Sequence, residues 1–191
     1  MEYQKTEIPL KDNVNNQRTS GFLITPGTEQ HFRDAGKWQA FIKTNYQNAS
    51  QDAHWLWHVK FLNMNSQPSI EMKTYVIEKD DMVQGVMMLK LNKCKSKRYR
   101  RREIVYVDYL ATAPWNRKYE NFNGEIVTPK YSLVGLNLIK AAIEESHSKG
   151  YDGLVGLSSL SKAEDFYKGV GFCQVGENIG ECGLNYFELK L

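Results

Sequence analysis

Downstream of Glu103 the apolar pattern changes period again and again, and this succession limits the possible folds more than any other feature of the chain. Residues 103–112 are rich in Ile, Val and Tyr and read as a strand. Residues 132–149 read as a helix, with Leu138, Ile139, Ala142 and Ile143 recurring at helical spacing and Gly150 where a C-terminal glycine belongs. Residues 154–160 form a near-continuous apolar run, the signature of a buried strand. Ser161-Lys162-Ala163-Glu164 matches a capping box and opens a short helix with Ala163, Phe166, Tyr167 and Val170 on one stripe, closed by Gly171. Residues 173–175 and 184–189 read as closing strands. Each strand buries one face only if helices cover it, so the pattern calls for a sheet flanked by helices.

The upstream half fits the same class. Residues 74–78 read as a strand, Asp80-Asp81 as a tight turn and residues 82–91 as the returning strand, interrupted by Gly85. This strand forms a hairpin with residues 103–112. Residues 1–17 are polar and patternless, and are expected to be a loose arm with a short strand near Ile8. Phe22-Leu23-Ile24 is an early strand stopped by Pro26-Gly27. Thr28 caps a first helix that buries Phe32, Ala35, Phe41, Ile42 and Tyr46. A second helix runs from Gln51 with Trp55, Val59 and Leu62 on its stripe. Residues 116–129 form a long polar loop, either a lid or a segment in solvent. The expected architecture is α/β (α+β): a mixed, mostly antiparallel central sheet of six to seven strands with about four helices, in one domain spanning 1–191.

Composition excludes several classes. The 191 residues suffice for one domain with a hydrophobic core, and a net charge of +3 is too weak for nucleic-acid binding by the domain as a whole. No apolar run approaches the ~20 residues that span a bilayer, and the first residues lack the apolar stretch of a secretion signal, so a cytoplasmic location without membrane partners is expected. Cys94, Cys173 and Cys182 are odd in number and form no CxxC pair, which argues against a disulfide framework or a thiolate metal site. His54 and His58 stand four apart but lack the glutamate of a zinc-protease motif, so no metal is expected. Lys93, Lys95, Lys97, Arg98, Arg100, Arg101 and Arg102 crowd into ten residues; a solvated turn is the favoured reading, a nucleic-acid or acidic-protein partner the less favoured one. A homodimer is compatible with the sequence, and nothing in it requires one.

Two segments carry chemistry. A strand ending Tyr109-Leu110-Ala111-Thr112-Ala113-Pro114 is followed by Lys130-Tyr131-Ser132-Leu133-Val134-Gly135 and a helix. The first amides of a helix and its dipole attract phosphate oxygens, Gly135 permits close approach and Lys130 adds a cation; a plain helix start explains the segment equally well. In Phe166-Tyr167-Lys168-Gly169-Val170-Gly171-Phe172 the Tyr167 hydroxyl can donate a proton, although an aromatic on a helical stripe is more often core.

Together, the strand 105–114, the helix start at Val134-Gly135 and the Phe-Tyr…Gly-Phe helix resemble the GNAT superfamily of N-acetyltransferases across residues 74–172. The resemblance implies transfer of an acetyl group from acetyl-CoA to a primary amine by direct attack, without a metal. It implies that the pantetheine arm runs along the backbone at Leu110, Ala111 and Thr112, beside a strand bearing Ser158. The pyrophosphate then meets Lys130, Leu133, Val134 and Gly135, and Tyr167 protonates the departing thiolate. Asp108 and Tyr106 share a strand face with Leu110; Asp108 is the candidate base, its other reading being a plain polar strand residue. Tyr106 and Trp57 are candidates to line the acceptor pocket, with Trp55 in the core. The sequence departs from the family loop, Arg/Gln-x-x-Gly-x-Gly/Ala, at Leu133, which stands where the first glycine belongs and suits the loop while its φ stays negative. The alternatives are a GNAT-like module that binds acyl-CoA without catalysis and a nucleic-acid-associated protein using residues 93–102.

Overall fold

A computed structural model describes residues 3–48, 50–64, 66, 68–176 and 183–189. In chain order the elements are β1 (Gln4–Asp12), β2 (Gln17–Thr25), α1 (Glu29–Gly36), α2 (Trp38–Asn45), α3 (Trp57–Met64), β3 (Met72–Lys79), β4 (Met82–Lys90) and β5 (Val105–Thr112). A 3-10 turn (Pro114–Asn116), β6 (Tyr119–Glu120), β7 (Ile126–Val127) and β8 (Tyr131–Ser132) lead to α4 (Val134–Ser148). After it come β9 (Val155–Ser159), a 3-10 turn (Ser161–Ala163), α5 (Glu164–Gly169), β10 (Phe172–Gln174) and β11 (Asn185–Leu189). Nine strands are ordered β10-β11-β9-β5-β4-β3-β2-β1-β8, and β6-β7 form a separate hairpin. The mixed, mostly antiparallel sheet is the expected class. It is wider than six or seven strands because the N-terminal arm and the loop before α4 supply strands of their own.

The chain divides into two compact units. The first comprises Met1–Gln67, Thr74–Met87 and Leu110–Leu138. Here the supposed loose arm is the first strand of a hairpin of two nine-residue strands, β1 against β2 from Gln4↔Thr25 to Asp12↔Gln17. Leu10 is the sole fully buried residue of β1, and Gly21, Ile24 and Thr25 are those of β2; apart from Ile8 and Pro9 the rest of β1 is polar, so the apolar pattern marks only a short strand near Ile8. Asp80 (φ 52°) and Asp81 (φ 56°) make the two-residue β3–β4 turn in the doubly left-handed form that matches strand twist. Thr28 precedes α1 as expected, its N–H donating to Nδ1 of His31 at 2.9 Å. The single first helix of the expectation is two, broken at Gly36-Lys37.

The second helix also differs. It begins at Trp57, not Gln51, so the stripe through Trp55 does not exist: Val59 and Leu62 are 45% and 51% exposed. Trp57 is the core tryptophan, 3% exposed, at 6.4 Å from Phe32 and 6.1 Å from Trp38, while Trp55 is half-buried beside it at 5.3 Å.

The second unit comprises Pro68–Lys73, Met88–Tyr109 and Ile139–Leu191. β5 and β9 pair in parallel from Val105↔Val155 to Val107↔Leu157, and β11 pairs antiparallel with β9 and β10. Gly150 (φ 76°) ends α4 as expected, its N–H donating to His147 O and that of Tyr151 to Ser146 O, both at 2.9 Å. The capping box at Ser161 is replaced. α5 starts at Glu164, whose carboxylate accepts from Asn185 Nδ2 at 2.8 Å and from Lys168 Nζ at 3.2 Å. Cys94 and Cys173 are free thiols; Cys182 lies outside the described residues. Among the described residues no helix is long and apolar enough to cross a membrane.

Candidate active site

In the first unit the end of β5, the segment after it and the start of α4 are fastened by buried polar groups. Gln84 of β4 is the centre. Its Oε1 accepts from Trp115 Nε1 at 2.8 Å and Asn116 Nδ2 at 2.9 Å, its backbone carbonyl accepts from Ala113 N at 2.8 Å, and its Nε2 donates to Lys79 O and Met82 O. Asn116 completes the link through Oδ1, which accepts from Tyr131 N at 3.0 Å. Gln84 and Asn116 are both buried, and a buried amide so satisfied fixes one arrangement of backbone.

The N-terminal hairpin holds the same loop from outside. β1 pairs with β8 at Lys11↔Ser132 and Asp12↔Tyr131. Asn13 donates three times: its N–H to Lys130 O (2.9 Å), and its Nδ2 to Pro129 O (2.9 Å) and Ser132 Oγ (2.7 Å). Asn137, on the first turn of α4, donates to Pro9 O at 2.8 Å. The order of residues 130–137 is thus partly the work of residues 9–13, which the sequence reading passed over. The one signal there was Asp12-Asn13-Val14-Asn15-Asn16, a run of turn formers.

Leu133 is where the loop departs from expectation. Its φ is +74°, the left-handed region, and its side chain is 41% exposed. The condition that φ stay negative is therefore not met. Leucine takes the backbone conformation a glycine would adopt freely, at a cost of roughly 1–2 kcal/mol. Its carbonyl accepts from Asn137 N at 2.9 Å and so starts α4, leaving the first amides of the helix, from Val134 onward, without intrahelical acceptors. Gly85 of β4 makes room: a Cβ there would lie 2.7 Å from Val134 Cγ1 and 3.2 Å from Leu138 Cδ1. Lys130 is exposed, its ammonium 5.1 Å from the centre of the Tyr131 ring.

Leu110, Ala111 and Thr112 close β5 in the same unit, Ala111 buried and its neighbours half-buried. The carbonyl of Thr112 accepts from Nε (2.8 Å) and Nη2 of Arg117. The Thr112 carbonyl is thus already engaged by two donors of one guanidinium. Arg117 also grips Asp52, Nη1 to Oδ1 and Nη2 to Oδ2, each at 2.8 Å. Burial pushes the Asp52 carboxyl up, but the hydrogen bonds and charge of Arg117 outweigh it and hold Asp52 below the usual carboxylate range. Around this pair the aromatics of α2 and the long loop interlock. Tyr46 stacks on Tyr119 (4.1 Å, 6°), and Phe41 meets Trp115 and Tyr119 edge-on. The long loop is therefore docked at its base, by these rings and by Gln47 N donating to Glu120 O at 2.9 Å, while residues 122–126 of its β6–β7 hairpin are exposed.

In the second unit Tyr106, Asp108 and Ser158 come together with a residue not foreseen, Lys90. The Tyr106 hydroxyl and Ser158 Oγ are 2.8 Å apart. Lys90 Nζ is 2.6 Å from Asp108 Oδ1 and 5.3 Å from the centre of the Tyr106 ring. The period-two rule that placed Tyr106 and Asp108 on one face holds, but nothing in the sequence pairs Lys90 with them. Tyr186 lies parallel to Tyr106 at 6.4 Å; burial, then Glu188, pushes its hydroxyl far above the ordinary tyrosine range. Tyr167 is 7% exposed, edge-on to Phe166 (5.2 Å) and Phe172 (5.7 Å).

His54 lies before α3, so the four-residue spacing to His58 does not place both on one helix face, and His58 Nε2 sits 3.0 Å from Glu29 Oε1. Among the described residues no cluster of His, Cys, Asp and Glu has the makings of a metal site.

No protein-family model matches the sequence, and comparison with curated proteins finds no significant relative. Solved structures do match. The PaiA N-acetyltransferase of Thermoplasma acidophilum, solved with coenzyme A, is 14% identical with a TM-score of 0.54, over 88% of this chain and 99% of that one. The acyl-CoA N-acyltransferase of Pseudomonas aeruginosa is 13% identical with a TM-score of 0.51, over 98% and 100%. A protein of Desulfovibrio desulfuricans assigned to the GNAT acetyltransferases is 11% identical with a TM-score of 0.52, over 100% and 97%. The chain has the fold of the GNAT acetyltransferases.

Proposed function

We propose that this protein is an acetyl-CoA-dependent N-acetyltransferase whose acceptor is a primary amine of a small molecule, peptide or protein. The observation that carries the reading is Leu133: a bulky residue held at φ +74° directly before α4, in a loop braced by Asn13, Asn116 and Asn137. Strain that the surroundings maintain is a mark of a functional loop. A helix start so shaped suits a diphosphate, with the amides of Val134 and Gly135 and the cation of Lys130 as its donors. Leu110, Ala111 and Thr112, in the same unit, are the proposed backbone partners of the pantetheine arm, with Ser158 assigned to the cofactor by resemblance alone.

The chemistry is one transfer. The neutral amine nitrogen forms a bond to the thioester carbon, the carbonyl oxygen takes negative charge, and the C–S bond then breaks as the carbonyl reforms. The thiolate takes the hydroxyl proton of Tyr167, and the proton lost by the nitrogen goes to Asp108, directly or through water, and on to solvent, from which Tyr167 is reprotonated. Lys90, 2.6 Å from Asp108, keeps that carboxylate fixed. Tyr106 is the proposed acceptor-side residue; Trp57, the other candidate, is packed among Phe32, Trp38 and Trp55.

The test is thiol release from acetyl-CoA across a panel of amines. Activity that falls at least tenfold in kcat in Tyr167→Phe, with KM for acetyl-CoA unchanged, is the expected result. Calorimetric acetyl-CoA binding without thiol release on any amine would favour a non-catalytic binder. Absence of both would end the proposal.

A further inference from the structure

The turn joining β4 to β5 is built around a buried carboxylate. Glu188 of β11 is fully buried, yet it accepts from Ser96 Oγ (2.6 Å) and from the backbone N–H groups of Lys97 (2.6 Å) and Arg98 (3.4 Å). Ser96 Oγ in turn accepts from Tyr99 N at 2.6 Å, and the bridge Lys95↔Glu103 closes the base of the turn. Tyr99 packs against the buried cluster formed by Ile104, Tyr106, Leu154 and Tyr186. The basic run is thus a folded knob with a fixed backbone, not the solvated turn that such runs usually are.

What the knob presents is uniform. Every exposed residue between 91 and 104 is a lysine or arginine: Lys93, Lys95, Lys97, Arg98, Arg100 and Arg101. Among the described residues no ion pair engages Lys93, Lys95, Arg100 or Arg101; of the run's arginines, Arg102 is paired, with Asp152. Lys93 (φ 60°) and Arg101 (φ 66°) hold left-handed conformations that glycine or asparagine would take at lower cost, so cations are kept where the backbone disfavours them. A fixed backbone presents its charges without an ordering cost on binding.

We infer that this knob is a binding surface for the phosphate backbone of nucleic acid. An acidic protein partner fits less well. Protein interfaces are anchored by apolar and aromatic residues with charges at the rim. Here the exposed surface holds no apolar residue at all. Nucleic-acid interfaces are the strongly cationic ones, and their affinity comes from counterion release.

The experiment is fluorescence anisotropy on the full chain with a labelled 20-nucleotide single-stranded RNA, a 20-base-pair DNA duplex and a poly-glutamate peptide of equal length, over ~50–300 mM salt. The expected result is binding to nucleic acid with a log–log salt slope of about −3 to −5. That binding falls at least thirtyfold when Lys93, Lys95, Arg98, Arg100 and Arg101 are changed together to Gln. A matched variant with Lys37, Lys43, Lys118, Lys140 and Lys162 changed to Gln loses less than threefold. Both variants replace exposed side chains, and circular dichroism with melting confirms their fold. Glu188→Gln, which weakens the grip on the turn, is expected to lose binding to an intermediate degree. Equal losses in the two five-site variants, a flat salt response, or poly-glutamate binding as tight as RNA would each overturn the inference.

Discussion

Arg117 and Asp52 meet as a parallel fork, two N–H···O bonds of 2.8 Å, while the same guanidinium caps the carbonyl of Thr112. One side chain thereby fixes the stretch between α2 and α3 to the last residue of β5. The Asp52 side chain is 10% exposed and that of Arg117 21%, so removing either partner strands a charge in a poorly solvated place. Arg117→Ala is expected to cost about 3 kcal/mol near pH 7, measured by denaturant unfolding. The Asp52 carboxyl lies below its unfolded value, so its stabilisation is full above the unfolded pKa and lost as pH falls through the folded one. The gap between wild type and variant must therefore shrink in acid. A gap that stays constant down to about pH 2.5 would show that the fork is not what Arg117 contributes.

Leu133→Gly separates strain from packing. The side chain is largely in solvent, so little burial is lost, and glycine adopts φ +74° freely. Stability is expected to be unchanged or to rise by up to about 1 kcal/mol, the relief of strain offset in part by the entropy of glycine. Leu133→Val, with a branched Cβ in the left-handed region, is expected to lose about 1 kcal/mol or more. On the proposed function, acetyl-CoA affinity by calorimetry is retained in the glycine variant and weakened in the valine one. The opposite order would remove the loop from the cofactor site.

Gly85 carries the approach of α4 to β4. A methyl at Gly85 would sit 2.7 Å from Cγ1 of Val134, a branched side chain with little rotamer freedom, so backbone must shift. Gly85→Ala is expected to destabilise by about 1–3 kcal/mol and to weaken acetyl-CoA binding, because the displaced turn is the one proposed to hold the diphosphate. A variant as stable as wild type with unaltered affinity would show that the helix start adjusts without consequence.

How much of this was legible depended on whether the feature had a period. The helix 134–148, the strand 155–159 and the hairpin turn at Asp80-Asp81 were readable because apolar spacing, a glycine stop and a paired turn signal agreed. Of β1 only a short strand near Ile8 was, since most of its residues face water and only Leu10 is fully buried. The helix register around Trp55 and Trp57 failed for a related reason: an aromatic-rich stretch fits a helical stripe in two phases, and tertiary packing against Phe32 and Trp38 chose the second. Of the candidate site, residues on one strand face were legible by alternation. Lys90, Gln84, Asn13 and Arg117 were not, because long-range polar partners leave no mark on local sequence.

Tyr46 makes a prediction at the alkaline end. Its hydroxyl donates to Pro114 O at 2.8 Å, and burial, only partly opposed by the charge of Arg117, pushes its pKa up to about 12. Tyr46→Phe keeps the stack on Tyr119 but removes the donor from a buried carbonyl, at an expected cost of about 1–2 kcal/mol. A raised folded pKa means that the contribution is complete below the unfolded value near 10 and is lost as pH rises toward about 12. The stability difference between wild type and Tyr46→Phe should accordingly be flat to pH 10 and narrow above it. Absorbance titration at 295 nm should lose one late-ionising tyrosine in the variant. If the variant instead loses a tyrosine that titrates near pH 10, the Tyr46–Pro114 bond does not hold the proton.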